Sequence, residues 1–214
     1  MVKSIATLMV IAIIFFMSIQ AVEAAKITND GVTIFYEGKV RKGDAERVRI
    51  MLEETFIQNI NLDSQGGHAI EGFSLGRLFK EYNLVAVVDD DKRCLSACAN
   101  AILGSPIKLI YGTLGFHVAW SSGKGNLSDG MKQGQQFAVM DTLYNFEMGY
   151  GLHFQYLTAM YTDADTMLLL SDEDLELFKF TNGDTFFRAV DLPKGWIASR
   201  IAGPARLYLL GEGL

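Results

Sequence analysis

Cysteine, histidine and proline are all scarce in this chain of 214 residues, which has two, three and three of them respectively. So few thiols and imidazoles argue against a structural zinc site, and no spaced set of carboxylates offers a hard cation an alternative. The acidic triplet Asp89-Asp90-Asp91 stands alone and reads as a solvated loop after a strand. Basic residues are outnumbered as well, 19 Lys and Arg against 25 Asp and Glu. A formal charge of -6 argues against a phosphate-backbone partner, so no nucleic acid is expected. Also missing are a Pro- or Ser-rich linker, a charge block and an internal repeat. Beyond its first two dozen residues the chain is therefore expected to be one domain, residues 25–214.

Those first residues read as an export signal. Lys3 is a short positive region, Ile5 to Ile19 is almost uninterruptedly apolar, and Val22-Glu23-Ala24 places small residues ahead of a cut before Ala25. An apolar run of roughly 15 residues falls short of the ~20 that span a bilayer, which favours a cleaved signal over residues 1–24 to a retained anchor. The expected location is periplasmic or secreted.

From Val32 on, short apolar strands alternate with helical stretches, the pattern of an α/β domain. Val32 to Tyr36 is a β-branched and aromatic strand, and Asp44 can cap a helix with Val48, Met51, Leu52 and Phe56 on its apolar face. Ile57 to Leu62 is a second strand that ends at Gly66-Gly67. The next helix carries Ile70, Phe73 and Leu78 and stops at Asn83, before the buried strand Leu84 to Val88. Ser96 to Leu103 is a helix of small residues, and strands Ile107–Tyr111 and Leu114–Trp120 come after it. In the last of these, period two puts Leu114, Phe116, Val118 and Trp120 on one face, with Gly115, His117 and Ala119 on a more open one. A long helical region runs from about Ser128 toward Met160, broken near Gly149 and Gly151; its Phe137, Met140, Tyr144, Phe146 and Met148 read as core or subunit-contact residues. Ser171 and Asp174 form a capping box.

Three of these points carry chemistry in the order acyl transfer needs. A diglycine can present N–H groups to an oxyanion, a serine can attack, and a histidine can take its proton. Ser96 would stand where a strand turns into a helix, so that the Ala97 N–H, with that of Gly66 or Gly67, forms the oxyanion hole. Ser64 competes as nucleophile but reads better as the shaper of the diglycine turn. Lys132 competes with His117 as base, yet its neighbours Gln133, Gln135 and Gln136 point to an exposed face. Cys94 and Cys98 frame Ser96, and their spacing suits either a local disulfide or two small packed thiols.

At Val32-Thr33-Ile34-Phe35-Tyr36-Glu37-Gly38-Lys39-Val40, at Asn61-Leu62-Asp63-Ser64-Gln65-Gly66-Gly67, at Glu71-Gly72 and at Ser96-Ala97 with His117, the chain resembles the proteolytic subunit of the Clp protease. More broadly it resembles the ClpP/crotonase superfamily. The likeness covers Val32 to Trp120 well and the rest loosely. It implies an α/β spiral of ββα units and a serine peptidase with a Ser96, His117, Asp165 triad, Asp163 being the other candidate third member. Gln65 stands where the family has proline, and cysteines frame Ser96 where the family has glycine and methionine. The expected activity is ATP-independent hydrolysis of a peptide or protein substrate without cofactor or metal. A homo-oligomer is compatible with it, and no ATPase partner is expected outside the cytoplasm. The alternative is an inactive member of the fold that binds or assembles, and an acyl-CoA enzyme is a distant third.

Overall fold

The computed structural model of the chain describes residues 24–119, 126–150, 152–163, 166–171, 174–175 and 207–209. Strands β1 (Lys26–Asn29) and β2 (Thr33–Glu37) form an antiparallel hairpin. Its turn is held by Asp30, whose carboxylate accepts from the Val32 and Thr33 N–H groups at 3.0 and 2.8 Å. Strands β3 (Asn59–Asp63), β4 (Val85–Val88) and β6 (Ile107–Ile110) extend this sheet in parallel, in the order β1-β2-β3-β4-β6. A second sheet has the order β5-β7-β8-β9: β5 (Arg93–Leu95) runs parallel to β7 (Thr113–Phe116), while β8 (Thr166–Leu170) and β9 (Leu207–Leu209) join antiparallel.

Parallel neighbours need crossovers, and helices supply them. Helix α1 (Asp44–Glu54) joins β2 to β3, α2 (Ala69–Glu81) joins β3 to β4, and α3 (Ala97–Ile102) leads to β6. The units β4-β5-α3 and β6-β7-α4, with α4 spanning Leu127–Glu147, each place one strand in each sheet before a helix. This is the ββα repeat of the expected spiral.

The core lies between the first sheet and its helices. Ile34, Tyr36, Ile60, Leu62, Ala86 and Val88 fill the inward face at alternate strand positions, against Val48, Phe73, Leu78, Phe79 and Ile102. Buried Asp44 ties α1 to the sheet: it accepts from the Tyr36 hydroxyl at 2.6 Å and the Arg41 N–H at 2.8 Å, and pairs with Arg47. Glycines let α2 and α3 touch through their backbones. A Cβ on Gly72 would strike the Ala97 carbonyl, and one on Gly104 the Gly76 carbonyl.

Several sequence expectations shift by physical cause. Phe56 lies beyond the end of α1 and is 79 % exposed, and Ile70, in the first turn of α2, is also exposed, so neither packs in the core. The hairpin strand β1 and the three-residue β5 escaped notice because both are short and lack an apolar run. The long helical region divides where expected, α4 ending before Gly149 at φ 90° and α5 covering Leu152–Tyr161. Tyr144 and Met148 are core, whereas Met140 and Phe146 are exposed. Ser171 and Asp174 form the capping box, with Ser171 N–H to Asp174 at 3.0 Å and the reciprocal bond at 3.3 Å. Among the described residues no helix is long and apolar enough to cross a membrane; residues 1–23 of the expected signal lie outside them.

Candidate active site

The two sheets meet where β3 and β5 bring their ends together. Ser64 forms a parallel bridge with Cys94: its N–H donates to the Arg93 carbonyl at 2.6 Å and its carbonyl accepts from the Leu95 N–H at 2.9 Å. One residue further, the Ser96 N–H donates to the Gly115 carbonyl of β7 at 2.8 Å. Ser96 then turns abruptly into α3 with φ 56° and ψ -118°. An L-residue holds such a conformation only against a cost, and the result is a half-buried serine at a sharp strand-to-helix turn.

The Ser96 hydroxyl meets His117. Oγ lies 2.8 Å from Nε2 of the imidazole, a hydrogen bond between residues 21 apart in sequence. The histidine stands one residue past the end of β7, so the period-two argument for its direction does not reach it. Nor is the neighbouring face open as expected: a Cβ on Gly115 would meet Leu169, Met167 and Leu95. His117 is instead aimed from behind. The Val118 N–H donates to Thr162 Oγ1 at 2.8 Å, and Thr162 in turn donates to the Thr158 carbonyl at 2.6 Å. Sequence reasoning missed Thr162, which lies 44 residues from the strand end it secures and belongs to no recognisable motif.

Burial pushes the His117 imidazole below its ordinary 6.5, and the main chains of Asp163 and Val118 partly offset this. The neutral ring is thereby favoured, the form that can accept a proton from serine. Nδ1 is buried against the Asp163 main chain but makes no hydrogen bond of good geometry among the described residues. The Asp163 side chain is turned to Thr166, accepting from its hydroxyl at 2.9 Å. Asp165, expected to orient His117, lies outside the described residues.

Opposite Ser96 stands the diglycine, with Gly66 at φ 86° and Gly67 at φ 147°, both in backbone conformations that L side chains rarely adopt. Gly66 is pressed against the serine turn, since a Cβ there would lie 2.5 Å from the Leu95 carbonyl oxygen and 2.6 Å from Ser96 Cβ. Its N–H is already committed to Ser64 Oγ at 3.1 Å, which corrects its candidacy as an oxyanion donor and gives Ser64 the turn-shaping role. Gly67 differs. It is bridged in parallel to Val40 through the Gly66 carbonyl and the His68 N–H, both 2.9 Å from Val40 main-chain atoms. Such a bridge directs the Gly67 N–H away from Val40. The Ala97 N–H lies in the first turn of α3, where no intrahelical acceptor exists. With six residues α3 adds little dipole, so any anion held here would rest on individual N–H groups.

Cys94 and Cys98 are joined by a disulfide with a Cα separation of 5.1 Å, which resolves the two readings of the pair. Lys132 is exposed on α4. Among the described residues no group of three or more His, Cys, Asp or Glu side chains could hold a metal ion.

Strand order and the ββα units together define a ClpP-like fold. A point variant of ClpP1 from Listeria monocytogenes superposes with a TM-score of 0.52 at 19% sequence identity, covering 71% of this chain and 90% of that one. No protein-family model matches the chain, and no curated protein matches it.

Proposed function

We propose that the protein is an exported serine hydrolase, a peptidase that needs no ATP. The observation that carries this reading is the 2.8 Å contact of His117 Nε2 with the hydroxyl of a serine held at φ 56°. His117 removes the proton from Ser96 Oγ as it attacks an acyl carbon, then returns it to the leaving amine. The Gly67 and Ala97 N–H groups hold the oxyanion that forms. Asp165 is assigned to hold the proton on Nδ1 and to stabilise the imidazolium. Export is supported by the character of residues 1–24 and by a disulfide, a bond that persists in oxidising compartments. A homo-oligomer is supported by the exposed apolar side chains Leu127, Met131, Val139 and Leu143 of α4. Substrates are then peptides or unfolded chains that need no unfolding machine.

The decisive experiment is labelling by a fluorophosphonate, which modifies an activated serine. The wild-type protein should react and Ser96→Ala should not. A folded wild-type protein that reacts no faster than Ser96→Ala would establish the second reading, a binding or assembly module. That reading is motivated by Nδ1 of His117, which makes no hydrogen bond of good geometry and meets no carboxylate among the described residues.

A further inference from the structure

We propose that the Cys94–Cys98 disulfide is a clamp that holds Ser96 in its working conformation, so that the reactivity assigned above, on which this inference rests, is full only in the oxidised protein. Cys94 is the middle residue of β5, paired with Leu114 of β7 and bridged to Ser64. Cys98 is the second residue of α3, and Ser96 lies halfway between them. The bond therefore closes a five-residue ring around the one serine that stands at positive φ among the described residues.

Two observations separate this clamp from a general stabiliser. Stabilisation through the unfolded chain grows with the length of the closed loop and is least for a ring this short. Further, α3 begins without a side-chain cap bond, so the Ser96 side chain does not tie the turn to the helix it opens. Relaxation toward negative φ is opposed by the main-chain hydrogen bonds of Ser96 to Gly115 and Asn100, by its contact with His117 and by the pairing of β5, and the sulfur bridge is the one covalent restraint among these. Relaxation would carry Oγ away from His117 Nε2 and turn the Ala97 N–H out of the cradle.

The chemistry balances with an external dithiol. The Sγ–Sγ bond breaks, two electrons and two protons pass to Cys94 and Cys98 as thiols, and the dithiol is oxidised to its own disulfide. Both cysteines are buried, 0 % and 2 % exposed, so exchange requires local opening and should be slow.

The test compares the purified protein before and after dithiol treatment, with thiol state read by alkylation and intact mass. Three quantities are followed: circular dichroism, fluorophosphonate labelling rate, and titration of the His117 ring by NMR. Reduction should leave the fold intact and slow labelling about tenfold or more, as expected when one strained backbone conformation is released. It should also move the His117 titration to that of Ser96→Ala, with both effects reversed on reoxidation. The double variant C94A/C98A should show the same losses and no recovery with oxidant. Equal labelling and equal titration in oxidised, reduced and double-variant proteins would overturn the clamp, as would unfolding of both reduced and double-variant forms. If the oxidised protein is never labelled but reduction still moves the His117 titration, the clamp stands and the hydrolase reading falls.

Discussion

Replacing Gly66 by alanine should damage the molecule in a way that can be divided into two parts. The first is backbone strain: at φ 86° a side chain costs about 1–2 kcal/mol. The second is steric, because the new Cβ would lie 2.5 Å from the Leu95 carbonyl oxygen, 2.6 Å from Ser96 Cβ and 3.0 Å from the Ala97 nitrogen. Those atoms belong to a turn hydrogen-bonded to two sheets, so relief by movement costs about 1–3 kcal/mol more. Gly31 is the natural reference. It has φ 95°, and a Cβ there would meet no atom within 4 Å, so Gly31→Ala carries the strain alone. Thermal unfolding should therefore place Gly66→Ala below Gly31→Ala by roughly 2–12 °C, at about 2–4 °C per kcal/mol for a chain of this size. Labelling of Ser96 should fall in Gly66→Ala and stay at the wild-type rate in Gly31→Ala. Equal melting temperatures for the two variants would show that the diglycine does not press on the serine turn, and the geometry argued for the candidate site would fail with it.

Four further outcomes are expected. Labelling of Ser96 should rise with pH through the titration of His117 and reach half its plateau below pH 6.5, because burial lowers that pKa; a midpoint above 7 would contradict a buried neutral base. The same group should make the fold less stable in acid: its contribution is complete above 6.5 and is lost as pH falls through the lowered value, which urea midpoints of wild type and His117→Asn would reveal as a difference confined to acid pH. Lys108 is buried, donates to the Ser105 carbonyl and has its pKa lowered to about 8 by burial, so it disfavours the fold while protonated. Between pH 8 and 10.5 the wild-type protein should gain up to about 3 kcal/mol relative to Lys108→Met, and a flat difference in denaturant titrations would refute the burial. Finally, Asp165→Asn should slow labelling at least about a hundredfold while Asp163→Asn leaves it near wild type, since loss of a His-orienting carboxylate costs orders of magnitude; the reverse ranking would reassign the third residue.

The parts that were legible in the sequence share one character: they are set by neighbours along the chain. The buried strand Leu84–Val88 and the small-residue helix after Ser96 declare themselves by composition, and Ser64 by its place before two glycines. The serine, the histidine and the diglycine could be picked out because each has few chemical reasons to be where it is. Illegible were features decided across space. That Gly66 spends its N–H on Ser64 depends on a side-chain rotamer two residues away. That Thr162 secures Val118, or that Asp163 turns its carboxylate to Thr166, depends on how α5 returns to the second sheet. Ile70 misled because a residue in the first turn of a helix can satisfy the apolar spacing and still overhang the core.

The contact of α2 with α3 acts as a gauge for the site. Helix α2 starts just after Gly67 and α3 starts just after Ser96, so the two halves of the cradle are the leading ends of two rods. Where they approach, backbone meets backbone at Gly72 against Ala97 and, just past the end of α3, at Gly104 against Gly76. At those two points the spacing is set by backbone thickness, the least adjustable dimension a protein has. One methyl group inserted at Gly76, well away from the reacting atoms, would strike the Tyr144 hydroxyl of α4 and crowd the Ala101 carbonyl of α3, so the supports of the cradle would have to shift.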